Sequence, residues 1–195
     1  MKRILVFVLS VALLAPLNAL AATYTLDPAH TTIGFKVKHL MIANVKGSFE
    51  KFKGTIVVDE KDITKSKVNV SIEIASINTN ISKRDEHLRS GDFFDAVKYP
   101  VMTFDSTKVE RAGADTLKVT GNLTIKGVTK QVVMTVDGPS GEIKSPQGVA
   151  KRGASAVATI NRQDFGVSWN KKLDAGGVVV ADDVHIIIDA ELDRQ

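Results

Sequence analysis

Alternation of apolar and polar residues with a period of two runs through almost the whole chain after its first twenty or so residues. It constrains the fold more than any other feature. Ile33, Phe35 and Val37 alternate with Gly34, Lys36 and Lys38. Val68, Val70, Ile72 and Ile74 alternate with Asn69, Ser71 and Glu73, and Leu117, Val119, Leu123 and Ile125 with Lys118, Thr120, Asn122 and Thr124. Successive side chains of a strand point to opposite faces, so each run predicts a strand with one buried and one wet face. Further strands are predicted over 54–59, 101–109, 128–136, 149–160 and 178–192. Turn chemistry separates them: Lys126-Gly127 between two alternating runs, Gly113 with Asp115, and the Asp137-Gly138-Pro139-Ser140-Gly141 cluster.

Helical grammar is confined to 82–90. Ser82 reads as an N-cap with Asp85 three residues on, Asp85 and Arg89 as an acid-base pair at i, i+4, and Gly91 as a left-handed cap. A further turn is expected at Asp92 before Phe93-Phe94, ended by Tyr99-Pro100. Many strands, one short helix and no strand-helix-strand rhythm predict an all-β, antiparallel sandwich or barrel. Closure into a barrel would remove the open edges that a lysine-sprinkled sheet must otherwise protect.

The N-terminus carries a different signal. Met1-Lys2-Arg3 is a positive start, the stretch from Ile4 to Leu14 is apolar, and Ala19-Leu20-Ala21 places small residues where a signal peptidase reads. Pro16 and Asn18 break the apolar run before it reaches the roughly 20 residues a bilayer core needs. The expectation is a removed signal peptide over 1–21 and a single domain over 22–195, secreted to the periplasm. Loss of Lys2 and Arg3 takes the basic count from 26 to 24 against 22 acids, a net charge near +2. The remaining lysines are scattered along strands as solvated faces, which excludes a nucleic-acid role. There is no cysteine, so neither disulfides nor thiol chemistry contribute and packing must hold the fold.

No phosphate loop, nucleophile elbow or His-Glu-x-x-His motif appears, so no catalytic residue is assigned. Asp182-Asp183-Val184-His185 has no second histidine at ligand spacing, and the alternation turns His185 outward, so no metal site is assigned either.

Phrases spread in order over nearly the entire chain carry a resemblance. They are Tyr24-Thr25-Leu26-Asp27 with His30-Thr31; Ile33-Gly34-Phe35-Lys36-Val37-Lys38-His39; Gly47-Ser48-Phe49-Glu50-Lys51-Phe52-Lys53-Gly54; Ile77-Asn78-Thr79; Arg84-Asp85-Glu86-His87-Leu88-Arg89-Ser90; Asp92-Phe93-Phe94-Asp95; Tyr99-Pro100 leading to Phe104; Gly121 to Ile125 with Gly127-Val128-Thr129-Lys130; and Asn161-Arg162 with Asp164-Phe165-Gly166. The chain resembles the YceI-like family of periplasmic polyisoprenoid-binding proteins. The resemblance implies an elongated, lipocalin-like barrel of about eight strands with a helix beside it. It also implies an apolar channel that holds a long lipid such as a polyisoprenoid or an isoprenoid quinone. Phe35, Val37, Phe49, Val70, Ile72, Ile74, Phe104, Leu123, Ile125, Met134, Phe165, Trp169, Ile186 and Ile188 are the channel candidates, and His39, Arg84 and His87 the head-group candidates. No cofactor is expected beyond that lipid, and the expected partners are the lipid and, transiently, a membrane or membrane protein. Oligomeric state stays open, a dimer included. Two other readings stay open as well: an enzyme acting on such a lipid, and a filled barrel serving a structural or stress-related role.

Overall fold

The computed structural model describes residues 21–174 and 176–195, so the signal-peptide expectation over 1–21 lies, but for Ala21, outside the described residues. In chain order the elements are β1 (Ala21–Leu26), β2 (Thr32–His39), β3 (Ala43–Phe49), β4 (Phe52–Asp59), β5 (Lys67–Glu73), β6 (Ile77–Asn78), α1 (Ser82–Arg89), β7 (Val101–Arg111), β8 (Thr116–Ile125), β9 (Val128–Asp137), β10 (Ile143–Lys144), β11 (Ala150–Asn161) and β12 (Val180–Arg194). Short 3-10 turns occupy Ile63–Lys65, Ile74–Ser76 and Arg162–Phe165.

The sheet closes on itself. Eight strands form an antiparallel ring, β11, β9, β8, β7, β5, β4, β1 and β12, with β12 pairing back onto β11 from Asp183 to Asp193. On its other flank the long β12 carries two partners end to end. Its C-terminal residues Leu192 to Arg194 pair with β1, and its residues from Val180 to Asp189 pair with β2. β3 continues outward from β2, as β4 does from β1. The wall is thus split lengthwise, with β1 and β2 sharing one position beside the last strand.

The expected phase holds around the ring. In β8, Leu117, Val119, Gly121, Leu123 and Ile125 are buried on alternate residues, facing Met102 and Phe104 of β7 and Val132 and Met134 of β9. An irregularity between Ser106 and Lys108 shifts β7 by one residue, which is why Phe104 and Val109 are both inward although their numbers differ in parity. The ring of Phe104 lies over Gly121, where a Cβ would collide with it. Lys126 and Gly127 take φ of 51° and 75°, making the left-handed two-residue turn expected between β8 and β9.

The helix is where expected, but its ends are built differently. Ile81 occupies the N-cap position with no side-chain bond, and Ser82 is already helical. Asp85 accepts from the Thr79 N–H at 2.9 Å and from the Thr79 hydroxyl at 2.5 Å, so it serves the preceding loop rather than Ser82 or Arg89. Arg89 donates to the carbonyls of Ala75 and Ile77 at 2.8 and 2.9 Å. The helix stops at Ser90 in extended geometry, and Gly91 is not left-handed; that conformation falls at Asp95, φ 52°. Ile74 leaves the β5 alternation for a 3-10 turn, and Phe165 and Trp169 lie in the 3-10 turn after β11 and the segment that follows it, not on strands. β1 and β3 carried no strand assignment from the sequence. β3 reads Ala-Asn-Val-Lys-Gly-Ser-Phe, too poor in apolar residues to show a phase.

Outside the barrel a charged cluster staples its closure. Lys151 of β11 reaches Asp27 at 2.8 Å, Glu191 at 2.6 Å and Asp193 at 2.6 Å, joining the end of β1 to β11 and β12. Its bond from Lys151, then one from His30, hold the Asp27 carboxyl far below the usual carboxylate range, while Asp27 raises His30. A group with a depressed folded pKa stabilises fully above its unfolded value and loses that contribution as pH falls through the folded one. His30, raised, contributes fully below its unfolded value and loses it as pH rises. Asp27→Asn removes both contributions. The gap in melting temperature from wild type should therefore be widest between about pH 4 and 6.5 and close in stronger acid. Thermal melts across that range measure it, and a gap independent of pH would refute it.

Candidate functional site

The ring encloses a cavity of about 270 Å³. It exists because small side chains stand where large ones would fill the barrel. Ala154 and Ala156 of β11 face inward opposite Ala190 and Ile188 of β12, and all four line the space. Barrels of this strand number are otherwise just wide enough for side chains to fill.

Twelve of the fourteen channel candidates line the cavity: Phe35, Val37, Phe49, Val70, Ile72, Phe104, Leu123, Ile125, Met134, Phe165, Ile186 and Ile188. Two do not. Ile74 is fully buried in the core behind the wall once its strand ends. Trp169 packs instead against His87 and Phe93, ring centroids 5.1 and 5.2 Å away. The sequence reading missed lining from Leu26, Ile56 and Val58 on β1 and β4, which period-two alternation in those strands signals. It also missed Leu88, Phe93 and Phe94, which turn inward from the helical side.

The wall is almost entirely hydrocarbon, its polar exceptions being Ser66, Thr103, Ser155 and Arg162. Arg162 is 5% exposed, and all five of its N–H donors are engaged. Nε donates to the Ala181 carbonyl, one terminal nitrogen to Val167 and Trp169 at 2.6 and 2.9 Å, and the other to Val180 and to the Asp182 carboxylate at 3.3 and 3.1 Å. Burial pushes this guanidinium below its ordinary pKa, with Asp182 opposing. The residue is a bracket that folds the segment after β11 onto the start of β12.

The head-group candidates do not converge. Arg84 binds the Thr79 hydroxyl and carbonyl at 2.7 and 2.8 Å, helping Asp85 and Arg89 tie α1 to the segment before it. His87 pairs with Asp92 at 2.9 Å and stands edge-on to Phe93 and Trp169. His39 ends β2, half-buried and opposite Val180, a lining residue. His185 is exposed, as its phase requires, and meets Thr159 at 2.9 Å.

Next to Val58 and Leu192 the buried Tyr24 donates to Glu142 at 2.7 Å and accepts from Arg152 at 2.8 Å, and Arg152 also pairs with Glu60 at 2.8 Å. Burial raises the Tyr24 pKa, and its bond lowers that of Glu142. Elsewhere Asp27, His30 and Glu191 bring ligand atoms within 4.8 Å of one another, but the Lys151 ammonium already binds Asp27 and Glu191. That charge takes the place a metal ion would need. Among the described residues no helix is long and apolar enough to cross a membrane.

The pattern of the YceI-like domain matches residues 24–192. A UPF0312 protein of Vibrio parahaemolyticus is 42% identical over 161 residues, covering 82% of this chain and 85% of its own. The crystal structure of a Campylobacter jejuni YCEI protein superimposes with a TM-score of 0.69 at 40% identity, over 88% of this chain and 98% of that one. A polyisoprenoid binding domain from Saccharophagus degradans, implicated in plant cell wall breakdown, aligns with a TM-score of 0.62 over 90% and 99% of the two chains. At 13% identity that likeness is one of fold.

Proposed function

The chain belongs to the YceI-like family, and on that premise we propose that it is a periplasmic binding protein that carries one long apolar lipid, of polyisoprenoid or isoprenoid-quinone type, inside the barrel. The hydrocarbon-lined cavity is the observation that carries this reading. Each methylene moved from water into such a wall contributes about 0.8 kcal/mol, so a prenyl chain gains affinity without polar contacts. A charged head group must stay at an end of the barrel, because Ser66, Thr103 and Ser155 cannot replace its hydration. The name of the Saccharophagus degradans domain supports a polyisoprenoid ligand. The N-terminal sequence supports export with a mature start at Ala22. An enzymatic reading gains no support from the wall, where Arg162 is the ionisable side chain and its donors are spent.

Solvent extraction of protein freshly purified from the periplasm of a Gram-negative host should release an apolar lipid. Added polyisoprenoid should raise the melting temperature of the stripped protein, by about 2.7 kcal/mol in stability at a hundredfold excess over the dissociation constant. Ala156→Phe fills the cavity from β11 and should abolish that rise, although overpacking itself costs about 1–3 kcal/mol. Unchanged ligand response in Ala156→Phe, or no lipid in the extract and no response in the wild type, would count against the carrier.

A further inference from the structure

The tip of the β2–β3 hairpin has the wrong residues for its backbone. Leu40 and Met41 hold φ of 50° and 61°, left-handed values that Gly, Asn and Asp supply in most tight hairpin turns. Leu40, Met41 and Ile42 are nevertheless 36%, 48% and 82% exposed, so three consecutive large apolar side chains stand in water where small polar ones would serve the turn better.

Behind them the outer face of the hairpin is basic. Lys36 lies in register between Lys46 of β3 and His185 of β12, and Lys38 lies one residue pair from the turn, opposite Asn44. Like charges facing each other across strands repel, yet among the described residues none of these three lysines is in an ion pair. Lys171 and Lys172 add to the same end. Their segment is bonded to the turn, through the Leu40 N–H to the Val179 carbonyl and the Val179 N–H to the Lys171 carbonyl, with Asp174 the acid between them. Val37 and Val180, next to this tip, line the cavity.

We propose that this hairpin docks the protein onto an anionic lipid bilayer, its apolar tip immersed at the acyl-chain boundary and its lysines against the head-group phosphates. The spacing fits. At about 3.3 Å per extended residue, and with 40–42 forming the reversing turn, Lys38 stands on the order of 5–7 Å behind the tip, and interfacial elements sink about 5–10 Å. That leaves Lys38 at head-group level, with the long side chains of Lys36 and Lys46 reaching down from the row above. Docked this way, the protein holds one end of its cavity against the lipids it draws from. The purpose, though not the surface chemistry, rests on the carrier reading.

Flotation with vesicles of phosphatidylcholine containing about one-third phosphatidylglycerol tests this, against pure phosphatidylcholine, at low and high salt. Wild type should float with the anionic vesicles and release in high salt. The triple variant Leu40→Asn, Met41→Gly, Ile42→Ser should bind at least about tenfold more weakly while melting no lower than wild type, because Asn-Gly suits the left-handed turn. Lys36→Gln with Lys38→Gln and Lys46→Gln should also lose binding, and Val157→Ser, an exposed apolar residue on β11, should not. Failure of wild type to float, equal flotation with neutral vesicles, or wild-type binding by the tip variant would overturn the proposal. So would a dimer that depends on the tip and does not float. A thermal shift with geranylgeraniol in vesicle-free solution reads the cavity separately. Flotation that persists where this ligand does nothing upholds the docking surface and removes only the carrier.

Discussion

Ile72→Asp should leave the protein unfolded or close to it, whereas Ser71→Asp should be nearly silent. The two residues are neighbours on β5 with opposite environments. Ile72 is 9% exposed, sits between Phe52 and Met102 in the ladder and lines the cavity, while Ser71 is exposed on the outer face. A carboxylate at 72 would stand in a hydrocarbon wall without a cation to pair with. Such a buried, unpaired charge costs several kcal/mol, a large share of the roughly 5–15 kcal/mol that holds a domain together. Circular dichroism melts should show Ile72→Asp lower by about 10 °C or more if it folds, and Ser71→Asp within about 2 °C of wild type. Equal shifts for the two would overturn the strand phase itself.

Arg162→Met should be the second most damaging change. It keeps the volume and removes five donors at once, taking this partner from the carbonyls of Val167, Trp169 and Ala181, while the Val180 carbonyl keeps the Asn170 side-chain amide. Breaking one side of a buried charged network costs about 3–5 kcal/mol, roughly 6–20 °C for a domain of this size. Arg162→Lys should rescue little, since a single ammonium cannot reproduce the planar fork. The damage has a local signature because Trp169 is the sole tryptophan and lies within the bracketed segment. Its emission should shift to the red well below the melting temperature as it leaves Phe93 and His87. An unshifted spectrum with a lowered melting point would mean that Arg162 stabilises the barrel without positioning that segment.

What the sequence revealed depended on how locally each feature is determined. Strands with regular alternation, such as β5 and β8, were legible because period two is a property of the residues themselves. So was the β8–β9 turn, since Lys126-Gly127 carries the φ preference in its own chemistry. β3 was not, because its burial comes from the neighbours it pairs with and not from its own apolar content. Asp85 read as part of a helix cap and proved to serve Thr79, a choice made by the loop's fold that no spacing rule encodes. The channel candidates drawn from strand phase fell on the cavity wall, except Ile74, whose strand gives way to a 3-10 turn. Those drawn from chemistry alone did not gather: Arg84 and His87 found partners near at hand, and Trp169 packed beside the cavity rather than on it. Cavities also depend on what is small: the inward phase of the strand already marks Ala154 and Ala156, whereas Ala190 opposite them states its importance only once the ring has closed.

The split position beside β12 also dictates an order of events. β12 is the seam for β1, β2 and β11 alike, and beyond it Gln195 donates its N–H to the Thr23 carbonyl at 2.9 Å. There is therefore no cylinder to close until β12 is in place, and strands distant in sequence must then meet at once. Closure of such remote pairs is slow. Without β12 the sheet is an open ribbon, and with it the ribbon becomes a vessel.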